Sequence, residues 1–237
     1  RDPDRADVAA HRAGALMARR TPDRVYVPPV QTLQLRYAKR GRMRFASHRD
    51  FQRAWERALR RAAVPMAYSA GFSPHPKISY MGAAPTGAAS EAEFLEFGVV
   101  QTIDPVAVAH ELDASLPDGL DVVTIVEARA PLSEVLKASR WRLEFAFDVE
   151  QAVAAFAAKD SVEVERITKA GRRTIDVRAL CSAFEVAGPV LEVTVQHAEP
   201  TPRPAEVVQA LGLGDATVLA TRLSQGVVEG GEVRLPF

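Results

Sequence analysis

SHRDFQRAWERALRRAAVPMAYSAGFSPHPKISYMG, residues 47–82, is the stretch whose reading decides the fold. It opens as a helix. Ser47 followed by Asp50 has the spacing of a capping box, with the serine at the N-cap and the acid near the positive helix end. Phe51, Ala54, Trp55, Ala58, Leu59 and Ala62 recur at intervals of three and four residues, which places them on one apolar stripe. Arg49, Arg53, Arg57 and Arg60 fall on the opposite face, and Arg61 extends the basic run. Pro65 stops the helix, a loop rich in Gly, Pro, Ser and His follows, and KISYM reads as a strand.

Upstream, TLQLRYAK alternates as a strand does, with Leu33, Leu35 and Tyr37 pointing one way and Gln34 and Arg36 the other. Gly41 permits a turn, after which MRF continues or re-pairs the strand. Downstream, EFLEFGVV reads as a strand, Asp104-Pro105 opens a helix with proline at its first position, and LDVVTIVEA is a strand after the Pro117-Asp118-Gly119 turn. The order strand–helix–strand–strand–helix–strand is the split βαβ, or ferredoxin-like, arrangement. Pro131 to Lys137 is a connector. A similar order then returns with one extra strand: WRLEFAFDV, the helix EQAVAAFAAK, the strands VEVERIT, RTIDVRALCSAFEV and PVLEVTVQHA, a helix from Pro204 to Leu211, and TVLATRLSQGVV. The expected fold is α+β, with two tandem ferredoxin-like (βαββαβ) halves at 32–128 and 138–237, each with an antiparallel sheet. A partly disordered leader is expected over 1–31, where charge is high and Pro22, Pro28 and Pro29 interrupt any pattern.

The charge is neutral in total and uneven in place. From Arg36 to Ala62, nine arginines and one lysine stand against Asp50 and Glu56, a net +8 in a chain whose formal net charge is zero. The remaining 210 residues therefore carry −8, and such polarisation is what an anion site needs. No apolar run approaches the ~20 residues that span a bilayer, and the Arg- and Asp-rich start is not a signal peptide, so the expected location is the cytoplasm, with no membrane partner. High Ala, Arg and Val usage suggests a GC-rich bacterial genome. Cys181 is the only cysteine, which excludes an internal disulfide and a cysteine-held cluster or zinc site built from this chain alone.

With helix and loop read together, the chain resembles the radical-SAM-linked proteins defined by the domain DUF2344. The residues that carry the resemblance are Ser47-His48-x-Asp50, Arg57-Ala58-Leu59-Arg60-Arg61-Ala62, and Pro65-x-Ala67-Tyr68-Ser69-x-Gly71-Phe72-x-Pro74-His75-Pro76-Lys77. Gly87-x-x-Ser90-x-x-Glu93 and Leu116-Pro117-x-Gly119 continue it, and a weaker match covers Thr174-Ile175-Asp176-Val177-Arg178 and Arg203-Pro204-x-Glu206-Val207. Together these span roughly 32 to 212. Arg49, Ala70 and Ser73 depart from the residues common in the family at their positions (Leu, Gln and Asn), and Ala70 lacks an amide that relatives carry there. The resemblance implies a radical-SAM protein as partner, with a cobalamin-binding-type region. S-adenosylmethionine, the iron–sulfur cluster and cobalamin are expected in that partner and not in this chain, which lacks the three closely spaced cysteines such a cluster needs.

Three sets of residues carry possible chemistry. Arg49, Arg53, Arg57, Arg60, Arg61 and Lys77 suit phosphate, because guanidinium forks bind phosphate oxygens in pairs. A row at 49, 53, 57 and 60 advances about 5–6 Å per step, near the phosphate spacing of a single strand. Tyr68, Ser69, Gly71, Phe72 and His75 form a candidate recognition loop, with aromatics beside arginine suited to base stacking. His75 between Pro74 and Pro76 sits in a stiff segment, and His75, His48 and Asp50 are the candidates for acid–base work or a metal cluster, although no short-range ligand spacing supports a metal. Ser90, Glu91 and Glu93 read as a cap or turn with solvent carboxylates. The leading expectation is an accessory protein that presents RNA, tRNA or rRNA, to its radical-SAM partner. The alternatives are an independent RNA-processing or RNA-modifying enzyme using His75 or His48, and a module for protein–protein interaction alone.

Overall fold

The computed structural model of the chain describes residues 26–70, 72–168, 171–214 and 216–237. Most of the leader expected over 1–31, and Gly71 of the recognition loop, lie outside the described residues. The first half runs β1 (Gln31–Lys39), α1 (His48–Arg61), β2 (Ile78–Met81), β3 (Ala89–Val99), α2 (Pro105–Asp113) and β4 (Leu120–Glu127). After a one-turn helix α3 (Leu132–Val135), the second half runs β5 (Ala138–Glu144), α4 (Glu150–Ala157), β6 (Glu163–Thr168), β7 (Gly171–Asp176) and α5 (Val177–Leu180). It continues with β8 (Cys181–Ala187), β9 (Val190–Gln196), α6 (Pro204–Ala210), β10 (Leu219–Glu229) and β11 (Glu232–Arg234). The fold is mixed α+β and dominated by sheet. None of the described helices is long and apolar enough to cross a membrane.

Nine strands form one sheet in the order β4-β1-β3-β10-β5-β9-β8, with β2 added to β3 and β11 to β10. The first half therefore contributes β4-β1-β3-β2 and the second β10-β5-β9-β8, every pair within each set antiparallel. The halves meet where β10 lies parallel to the start of β3, Thr221 opposite Ala89 and Arg222 opposite Ser90. Two separate sheets were expected; they are joined edge to edge. β2 makes this possible. It is four residues long and pairs with residues 94–97, which leaves the start of β3 open to β10.

The extra strand of the second half also has a place. VEVERIT and RTID pair with each other as the two-stranded sheet β6–β7, off the main sheet and inserted between α4 and β8. The run RTIDVRALCSAFEV is not one strand, because Asp176 caps α5 in its middle: Oδ1 accepts from the N–H of Ala179 (3.2 Å) and of Val162 (3.1 Å). Arg178 then pins the turn, donating to the Ala157 and Cys181 carbonyls while stacking on Phe156 and Phe184. GRMRF, residues 41–45, is a 3-10 turn entered through Gly41 at φ 52°, not a return of β1.

α1 forms for the reasons its sequence offers. The Ser47 hydroxyl accepts from the Asp50 N–H (3.2 Å) and donates to the Asp50 carboxylate (2.7 Å). Phe51, Ala54, Trp55, Ala58 and Leu59 are buried against the sheet, where Tyr37 of β1 meets Trp55 at 4.9 Å and Phe51 at 5.5 Å between ring centroids. Burying side chains of this size contributes about 1.5–3 kcal/mol each. The alternation of β1 suggests one buried face, yet both are covered. Gln34 is buried and donates to Glu96 and to the Ala130 carbonyl, under the connector. Leu132 and Leu136 of that connector pack with Phe94, and Phe237 closes edge-on against Phe94 at 5.6 Å.

Candidate functional site

Two surfaces of the molecule carry unbalanced positive charge. The first is the outer face of α1. Arg49, Arg53, Arg57, Arg60 and Arg61 are exposed, and none has an ion-pair partner within 4.0 Å among the described residues. An arginine row that folded only to satisfy local acids would show such pairs, and Glu56 on the same helix makes none.

The recognition loop leaves α1 through Val64–Ala67 and returns to β2. Its neck is a narrow antiparallel ladder: the Ser69 N–H donates to the His75 carbonyl (2.8 Å), the His75 N–H donates to Ser69 Oγ (3.0 Å), and Tyr68 bridges Pro76. Ser69 thus holds the neck closed, with Phe72 lying beyond it. Phe72 is 92% exposed and Tyr68 47% exposed, where a soluble domain would ordinarily turn such rings inward. Tyr80 behaves differently: it lies under α1, against His48 at 5.9 Å and Phe51 at 5.5 Å, and burial pushes its phenol pKa up.

The remaining sequence candidates separate. Asp50 is engaged by Ser47, His48 stacks on Tyr80, and His75 lines a different hollow with Ser69, Lys77 and Pro29. The cluster of His48, His75 and Asp50 considered from sequence does not form, and among the described residues no three His, Cys, Asp or Glu side chains are grouped so as to hold a metal. The reason is register: His48 starts the helix above β2, whereas His75 belongs to the loop neck beyond the other end of that strand. Lys77 is occupied as well, its Nζ donating to Tyr26 Oη at 2.9 Å and lying 5.2 Å over that ring.

The second surface is a cleft of about 520 Å³ at the join between the halves. Its floor comes from β5 and β10: Ser139, Trp141, Arg222 and Gln225. Its walls come from residues 82–86 on one side and Arg166, His197 and residues 201–204 on the other. Arg222 is 5% exposed. Its Nη1 donates to the Gly82 carbonyl (2.6 Å) and to Glu93 Oε1 (2.9 Å), and its guanidinium lies 4.7 Å over Trp141. Glu93, 1% exposed, also accepts from the Ala84 N–H at 2.9 Å. Gly82 is required here: it holds φ +55°, and a Cβ would stand 2.7 Å from Gln225 Oε1. Ser90 and Glu93 are therefore interior residues of β3, which corrects their reading as a cap and a solvent carboxylate. The parallel strand β10 covers them, and nothing local in their sequence announces it.

The walls are charged too. Arg166 forks onto Glu206 and donates to the Thr201 carbonyl at 2.7 Å. Burial works against the Glu206 carboxylate, but the Arg166 guanidinium and the Arg203 N–H (2.7 Å) outweigh it and hold its pKa below the usual value. The Arg203 guanidinium itself has no ion-pair partner among the described residues. His197 donates from Nδ1 to the Leu136 carbonyl (2.8 Å), so its Nε2 accepts from Ser139 Oγ (2.8 Å). Burial holds this imidazole below its ordinary pKa, hence neutral near pH 7.

The site thus sits on a sheet-dominated α+β protein with an arginine row on α1, exposed Phe72 and Tyr68, and an arginine-lined cleft. The chain belongs to the DUF2344 family, described as an uncharacterized protein conserved in bacteria, whose model matches residues 32–204. A comparison with curated proteins finds no match.

Proposed function

We propose that this chain is an RNA-binding accessory protein that presents a structured RNA, tRNA or rRNA, to a radical-SAM partner in the cytoplasm. The observation that carries the reading is the outer face of α1: five exposed arginines without acid partners, on the helix that leads into a loop displaying Phe72 and Tyr68. Arginine supplies the phosphate contacts and the exposed rings supply stacking, the combination that single-stranded loops of RNA call for. The strand orders β4-β1-β3-β2 and β10-β5-β9-β8 support reading each half as a βαββαβ unit. The radical-SAM partner is proposed from the resemblance of the Ser47–Lys77 block to radical-SAM-linked proteins, and the single cysteine is consistent with cluster chemistry carried by another polypeptide.

The test is direct binding. The purified chain, stripped of nucleic acid, is titrated with bulk tRNA at low salt, and then with the partner's radical-SAM protein in the presence and absence of nuclease. Saturable tRNA binding that is lost in Arg53→Ala/Arg57→Ala/Arg60→Ala supports the reading. A complex with the partner that survives nuclease, with no RNA binding at low salt, replaces it by the interaction-module alternative.

A further inference from the structure

The interlobe cleft is distinct from the α1 face, and its electrostatics are unfinished. Arg166 is neutralised by Glu206. Beyond that pair, Glu93 is the one buried carboxylate near the join among the described residues, and two buried cations face it. Arg222 bonds to it directly, and Lys39, 7% exposed, spends its Nζ on the Ala84 carbonyl (3.1 Å) behind the 82–86 wall. One carboxylate cannot balance both, and Arg203 at the rim shares the charge of the Glu206 carboxylate with Arg166. Arg166, Arg203 and Arg222 of the cleft against Glu206 and Glu93 leave an excess of about one positive charge, and Lys39 behind the wall adds a second; part of it is buried, where an uncompensated charge is costly.

The donors are unfinished as well. Arg222 Nη1 makes two bonds, while its Nε is buried without a partner and Nη2 makes none among the described residues. The single Ser139 hydroxyl proton goes to His197, and Gln225 Nε2 is buried without a partner. Among the described residues no carboxylate lines the cleft. Trp141, Pro85, Pro202 and Pro204 give it apolar walls, and its volume falls within the ~300–1,000 Å³ range of small-molecule sites.

We propose that this cleft binds a phosphate monoester of nucleotide size, with the phosphate held between Arg222 and Arg203 and the organic part against Trp141 and the prolines. A phosphomonoester carries about −1.5 to −2 charge at neutral pH, which matches the excess, and its oxygens accept from the guanidinium edges in pairs. The group arrives either as a free mononucleotide or as the terminal phosphate of an RNA. The site is independent of the arginine row on α1, and this sets how it is tested.

The full-length chain is titrated at pH 7.5 and low salt with inorganic phosphate, a mixture of the four nucleoside 5′-monophosphates, and a short oligoribonucleotide with and without a 5′-phosphate. Heat of binding, thermal midpoint and tryptophan emission are read, Trp141 and Trp55 being the two tryptophans. Saturable binding of the monophosphates is expected, with a change in emission and an affinity loss of about tenfold or more in Arg203→Glu and in Arg222→Lys. Arg222→Lys keeps the buried charge for folding and removes the fork. Binding persists in Arg53→Ala/Arg57→Ala/Arg60→Ala, which separates it from the α1 face. Competition by the 5′-phosphorylated oligonucleotide but not by its 5′-hydroxyl form assigns the phosphate to an RNA end; competition by neither assigns it to a free nucleotide. The proposal is overturned if a folded chain shows no saturable response to millimolar monophosphates, if Arg203→Glu binds them as well as the native chain, or if the α1 variant abolishes binding.

Discussion

Arg222 of β10 reaches Glu93 of β3 across the only parallel strand pair among the described residues, Nη1 to Oε1 at 2.9 Å, with both side chains buried. The two residues stand 129 positions apart, and their bond ties the two halves into one sheet. Removing one partner leaves a buried charge alone, which costs about 3–5 kcal/mol, whereas replacing both by apolar side chains of similar size is often neutral. Glu93→Gln is expected to lower the unfolding free energy by that amount, with a lower urea midpoint, and Glu93→Leu/Arg222→Met to recover most of it. Denaturation of the three proteins checks this; a Glu93→Gln midpoint equal to the native one contradicts it.

α1 separates packing from capping. Trp55→Ala removes a fully buried indole and is expected to cost about 3–5 kcal/mol, while Ser47→Ala removes the cap and costs about 0.5–2 kcal/mol. Equal losses in the two variants would mean that the helix is held by something other than its apolar stripe.

His197 gives the fold a pH dependence. Its folded pKa is depressed by burial, so the unfolded chain binds its proton first as pH falls below about 6.5. The contribution of the neutral imidazole is present above that pH and is lost as pH falls towards the folded pKa. The stability difference between the native chain and His197→Gln is therefore expected to shrink between pH 7.5 and 5, read from denaturation midpoints at each pH. A difference that grows on acidification runs against this account.

Cys181 is buried beside Arg178, and burial pushes its thiol pKa up to about 12. The thiolate is the reactive form, so the native chain is expected to resist thiol reagents at pH 8 and to react at the rate of a free cysteine in denaturant. Rapid labelling of the folded chain would place the thiol outside the β8–β9 core.

The basic helix was legible because everything that makes it is local: the Ser47–Asp50 cap, the three–four spacing from Phe51 to Leu59, and the arginines left on the other face. The element order of the first half was legible for the same reason, whereas in the second half the expected strand over 173–186 is split by α5. The join was not. Glu93 reads as a surface acid until β10 covers β3, and Arg222 sits in a strand whose own pattern says nothing of its partner. Nothing in the sequence around Gly82 requires a glycine, and its need to be one appears only once Gln225 approaches it. The β6–β7 hairpin was readable as two strands, but its place off the main sheet depends on Asp176 and Arg178 ending it, which is a capping event hidden within an apparent strand.

The most direct test of the central claim is the salt dependence of RNA affinity. The native chain is expected to bind structured RNA at low salt, with log K falling linearly in log salt, and Arg53→Ala/Arg57→Ala/Arg60→Ala is expected to flatten that slope by about 2, at ~0.7 per single-strand phosphate contact. No binding at low salt, or a slope unchanged in the variant, would contradict it.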